Sequence, residues 1–138
     1  VATCVGDSGA LSIDLITNAA ISGNLKQLDD SLFKAFNRGE NAIAVLRSLL
    51  RKLQRMHLTR GYMEQGYNVE QAMGKLFPKV FAMEVRSFKA DLMKWTTGRL
   101  ASAMAITTSA EQDCKTTGMP VEAVCARACL RIANAAKR

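Results

Sequence analysis

The chain has 138 residues, 49% apolar and 22% charged, with a net charge of +7. That length holds one domain with a real core and is short for two. Charged residues interrupt every apolar run before it could span a bilayer, and the start lacks the basic and long apolar blocks of a signal peptide.

Ala, Leu and Met carry the apolar content, while aromatics are 6% and prolines number two. These are helix-forming residues, so the composition points to an all-α domain. The chain opens on Val1, and Val1–Asp7 reads as an extended tail ahead of the first helix. This marks residues 1–10 as the end of a preceding domain, 11–138 as the helical domain, and the whole as an excised fragment.

Ser12 is suited to cap a first helix over Ile13–Ile21, which Gly23 stops. Asn24 caps Leu25–Arg38, where Leu25, Leu28, Leu32, Ala35 and Phe36 form one apolar stripe closed by Gly39. Asn41 starts the longest helix, reaching about Gln65, with Ile43, Leu46, Leu50, Leu53 and His57 on one arc. Asn68 caps a short helix, Val69–Leu76, before Pro78 breaks the pattern. A helix over Ala82–Lys94 follows, then one over Gly98–Thr117 capped by Thr96 or Thr97. Gly118 suits the left-handed position past its end, and Pro120 the first turn of a final helix striped by Val121, Val124, Cys125, Ala128, Ile132 and Ala135. The expected architecture is a single-domain bundle of about seven helices.

The residues offer little catalytic chemistry. Gly6-Asp7-Ser8-Gly9 has no lysine, and Lys115-Thr116 has no glycines before it, so neither makes a phosphate-binding loop. His57 is the sole histidine and sits on an apolar arc, where a ring that packs and makes one hydrogen bond is expected. Cys125 and Cys129 share a helix face with Cys114 across the turn, but their spacing suits buried packing better than zinc. With Cys4 they read as reduced thiols of a cytoplasmic protein. Glu111 and Asp113 fall on different helix faces and form no acid/base pair. No cofactor, metal or enzymatic activity is expected.

Positive charge concentrates on the long helix. Arg47, Arg51 and Arg55 recur at steps of four, joined by Lys52 and Arg60. A solvated face is one reading; contact with DNA phosphates or an acidic protein surface is the other. Arg60 follows Leu53 by seven residues and points with the apolar stripe, so it must snorkel out, pair with an acid or face a partner. No aromatic residue interleaves with this patch, which argues against stacking on single-stranded bases. Among the remaining apolar residues, Met63, Tyr67, Met83, Met93 and Trp95, core packing is expected to account for most.

One motif set is more specific. Gly23-Asn24, Arg38-Gly39-Glu40 and the Leu46-Arg47, Leu49-Leu50-Arg51 and Gln54-Arg55 series are followed by Lys115-Thr116-Thr117-Gly118-x-Pro120, Val124-Cys125-x-Arg127 and Leu130-Arg131-Ile132-Ala133. In this order they resemble the C-terminal collar domain of the delta subunit of the bacterial DNA polymerase III clamp loader, of the alphaproteobacterial type, over nearly the whole chain. The resemblance implies a non-catalytic assembly domain with no cofactor. Its partners would be delta-prime and gamma/tau-type subunits in a pentameric ring, with the sliding clamp engaged by an N-terminal part and no membrane involved. Lys115, Arg127 and Arg131 are the expected subunit contacts, and Arg47, Arg51, Arg55 and Arg60 the expected contacts to DNA or an acidic partner. The alternative is a stand-alone basic helical domain that binds nucleic acid.

Overall fold

The computed structural model describes the backbone of residues 2–137 and the side chains of residues 11–137. Seven α-helices and one 3-10 turn follow in order: α1 (Ala2–Ser22), α2 (Leu25–Asn37), α3 (Ala42–Glu64), α4 (Val69–Gly74), the 3-10 turn (Ala82–Glu84), α5 (Val85–Lys94), α6 (Thr97–Cys114) and α7 (Val121–Lys137). Among the described residues there is no strand.

The caps explain most of the boundaries. The Asn24 side chain accepts from the Gln27 amide, and that of Asn41 from the Ile43 and Ala44 amides. Asn68 and Gln71 form a reciprocal capping box, and Thr96 accepts from the Arg99 amide. Each satisfies an amide that the first helical turn leaves without a partner. Gly23, Gly39, Gly66 and Gly118 take positive φ, and three of them sit just past a helix end.

The first helix departs from expectation. Its backbone is helical from Ala2, so Val1–Asp7 is not an extended tail as far as residues 2–7 describe it; Val1 lies outside the described residues. No proline interrupts this stretch, and Gly6 and Gly9 each cost a helix only about 1 kcal/mol. Ser12 is therefore inside α1 and caps nothing. Its Oγ accepts from Arg38 Nη1 at 2.9 Å, tying α1 to the end of α2. The Ala82–Lys94 segment also divides, into the 3-10 turn and then α5.

α3 is the centre of the bundle. It packs most extensively on α6 and also meets α1, α4, α5 and α7. α1 and α2 form one hairpin, α6 and α7 another, and α7 closes against α1, α2 and α3. One continuous core results, built from Ile16, Ile21, Leu28, Leu46, Leu49, Leu53, Leu100 and Ile132, all fully buried, with smaller residues between them. On α7 the buried set is Cys125, Ala128, Cys129, Ile132, Ala133 and Ala136. These small side chains let the helix approach its neighbours closely. Val121, expected inward, is exposed at the helix start.

Trp95 is the largest fully buried side chain and fixes the joint between α5 and α6. Its Nε1 donates to the Ile21 carbonyl at 2.9 Å, and Lys94 Nζ donates to the Ser22 carbonyl at 2.8 Å. Both carbonyls belong to the last turn of α1, which has no helical amides left to bond them. Arg99 lies over the Trp95 ring, 5.8 Å from its centroid, and donates to the Ala135 carbonyl on α7. With Arg99 Nη1 also donating to the Lys94 carbonyl at 3.3 Å, the C-terminal ends of α1, α5 and α7 are satisfied by one cluster of side chains.

Candidate functional site

The basic face of α3 borders an open groove against α1. Arg47 and Arg51 are exposed and Arg55 half-buried, opposite Leu46, Leu49 and Leu53. Two adjoining depressions, of about 200 and 440 Å³, share Asp14, Ser48 and Arg51. The first is also walled by Asn18, Lys52, Arg55, Val80 and Glu84; the second by Asn41 and Arg47. Asp14 and Glu84 set carboxylates along the same walls as the arginines, so the groove is of mixed sign.

At its floor, Lys52 Nζ donates to Asn18 Oδ1. Loss of hydration pushes the Lys52 pKa down, opposed by the charges of Asp91, Glu84 and Asp14. Asp91, on α5, is buried, and loss of hydration raises its pKa against the pull of Lys52 and Lys94. Here burial outweighs attraction for both groups.

The structure divides the predicted contact residues by role. Arg60 is half-buried and makes no ion pair among the described residues; part of its guanidinium is turned inward to the backbone. Its Nε donates to the Trp95 carbonyl at 2.9 Å and its Nη2 to the Leu92 carbonyl at 2.6 Å, capping the C-terminal end of α5. Arg47 Nε lies 3.4 Å from Glu111 Oε2, and Lys115 Nζ lies 3.2 Å from the same oxygen. One residue from each predicted set thus meets the same carboxylate, that of Glu111. The bond from Lys115, and after it that from Arg47, holds the Glu111 carboxyl below its usual range. Arg51 and Arg55 make no ion pair among the described residues.

Arg127 and Arg131 are exposed one turn apart on α7. They line a depression of about 240 Å³ between α6 and α7, together with Asp113, Met119 and Val124. Their motif neighbours Cys125, Ile132 and Ala133 are buried, whereas Leu130 is partly exposed beside them.

The cysteines and histidine offer no evident chemistry. The hydrogen bond between Cys125 and Cys129, then burial, pushes the Cys125 thiol far up, away from the thiolate a metal needs. No group of three or more His, Cys, Asp or Glu side chains is placed to hold a metal among the described residues. His57 is half-buried on α3. The Cys4 side chain lies outside the described residues. No helix in the described residues is long and apolar enough to cross a membrane.

One surface went unread in the sequence. Phe77 and Met83 are each 96% exposed, Phe81 76% and Met93 78%. Core packing thus accounts for Trp95 but not for Met83 or Met93. Phe77-Pro78-Lys79-Val80-Phe81 lies between helices, where no periodicity sorts inward from outward positions. No protein-family model, no curated protein and no solved structure matches this chain.

Proposed function

We propose that this chain is the collar domain of a clamp-loader delta-type subunit, an assembly module that supports loading of the sliding clamp onto DNA. The observation that carries the reading is the ordered series from Lys115-Thr116-Thr117-Gly118-x-Pro120 to Leu130-Arg131-Ile132-Ala133. An all-helical bundle is consistent with it. In this reading the motif has two jobs. Gly118, at φ +86°, with Cys125, Ile132 and Ala133, seats α7 on the core. Arg127, Leu130 and Arg131 face outward, a combination of arginine and aliphatic surface that suits a subunit contact. The separation of residues 1–10 from 11–138 and a cytoplasmic location belong to the same proposal.

A second reading, nucleic-acid binding, rests on Arg51 and Arg55, which border an open groove without ion pairs of their own among the described residues. One experiment separates the two. The chain is immobilised and challenged with purified delta-prime and gamma/tau-type subunits, and separately with a duplex oligonucleotide, across a salt series. The collar reading expects capture of subunits that persists in high salt and falls at least about tenfold in Arg127→Glu/Arg131→Glu. No capture, with salt-steep oligonucleotide binding lost in Arg51→Ala/Arg55→Ala, moves the function to the groove.

A further inference from the structure

We infer that the face built by α4, the loop after it and the start of α5 is a docking site for an acidic segment of another protein that carries a large apolar side chain. This goes beyond the collar reading and uses none of its residues. The face contains a cleft of about 210 Å³ whose apolar walls are Met73, Val80 and Val85. Lys79 and Lys89 also line it, the latter held to Glu70 at 2.6 Å. Close to it in sequence, Phe77 and Met83 stand almost wholly in solvent and Phe81 is largely exposed.

Apolar side chains this exposed gain by being covered, and the charges around them select the cover. Residues 70–89 carry Lys75, Lys79, Arg86 and Lys89 against Glu70, which also lines the cleft, and Glu84. Lys75 is turned onto the Tyr67 ring, 4.3 Å from its centroid, and Lys89 is engaged by Glu70. Lys79 and Arg86 are exposed and make no ion pair among the described residues. Lys79, on the cleft wall, and Arg86, one residue beyond the wall residue Val85, offer positive charge to carboxylates that flank an apolar anchor seated in the cleft. A second copy of the chain fits poorly, because a two-fold contact would lay this cationic patch against the same cationic patch. A flat bilayer would meet Phe77 and Met83 but leave the cleft unfilled.

The test is selection from a random peptide library displayed on phage, using the whole chain as bait and the Lys79→Glu/Val80→Ser chain for counter-selection. The selected peptides should share an apolar residue flanked by Asp or Glu. A representative peptide should bind at least about tenfold more weakly to Lys79→Glu and to Val80→Ser, and equally well to Arg127→Glu/Arg131→Glu. That last variant separates failure here from failure of the collar reading. Retained melting temperature in the cleft variants shows that lost binding is not lost folding. No enrichment, a consensus without acids, or affinity unchanged by the cleft substitutions would overturn the proposal. So would binding of phosphatidylserine vesicles or single-stranded oligonucleotide through these residues without a peptide consensus.

Discussion

Two ionic positions, one half-buried and one buried, show how this chain treats charge. Arg60 donates from Nε and Nη2 to two carbonyls at the end of α5, so its charge supports a helix end. Asp91 has no such return. It is buried, its pKa is raised from 3.8 chiefly by desolvation, and the cations Lys52 and Lys94 offset that only in part. The folded state therefore holds the Asp91 proton more tightly than the unfolded chain does. Below pH 3.8 both states are protonated at this residue and its ionisation costs nothing; as pH rises above 3.8 the unfolded chain ionises first, and the cost is complete once pH passes the folded value. Asp91→Asn removes this dependence. Urea unfolding at a series of pH values should show wild type losing stability relative to Asp91→Asn between pH 3.8 and the folded value, with parallel curves above it. Parallel curves throughout would mean that Asp91 is hydrated in solution.

Helix ends are where local sequence and packing separate most clearly. Gly23 and Gly39 have nearly identical backbones, at φ +84° and +83°. A side chain at Gly39 would meet nothing within 4 Å, whereas one at Gly23 would lie 3.1 Å from Lys137 Cγ and 3.3 Å from the Ala133 carbonyl oxygen and Ala136 Cβ. Gly39→Ala should thus cost about 1 kcal/mol, from left-handed strain alone. Gly23→Ala should cost about 2–3 kcal/mol, because α7 must also move. Chemical denaturation of the two variants measures the difference. Equal losses would show that α7 does not press on the α1–α2 turn in solution.

For the molecule as a whole, α7 is both a wall of the core and the bearer of the proposed subunit contact. It packs on α1, α2, α3 and α6, and its Cys125, Cys129, Ile132 and Ala133 are fully buried. A chain lacking Val121–Lys137 should lose its cooperative thermal transition, followed by circular dichroism, because the apolar face left bare spans four helices. A retained sharp transition would show that the first six helices fold alone. Deleting α7 is therefore a poor assay for assembly, and outward substitutions at Arg127 and Arg131 are the informative ones. The two other surfaces, the α1–α3 groove and the cleft beside α4, meet at Val80 and α5 but lie off α7, so they can be altered without touching it.

The amino-acid sequence by itself determined the helices and most of their limits. Asn24, Asn41, Asn68 and Thr96 cap as their side chains dictate, and the α2 stripe faces the core; on α3, Leu46 and Leu53 are buried as expected, but Ile43, Leu50 and His57 are half-buried and Val45, Leu49 and Met56 turn inward. These are local effects, settled within a turn or two of helix. Where local signals were weak, the reading failed: glycines and the Ser12 hydroxyl suggested a late start to α1, yet no proline was present to stop the helix. Only the tertiary structure decided what the charged and exposed residues do. Arg60 lies 32 residues from one of its carbonyl partners and 35 from the other, and Arg47 lies 64 from Glu111. No periodicity along the chain encodes such meetings. They follow from how α3 is laid against α5 and α6, as does the exposure of Phe77 and Met83 on a loop that no other part of the described chain covers.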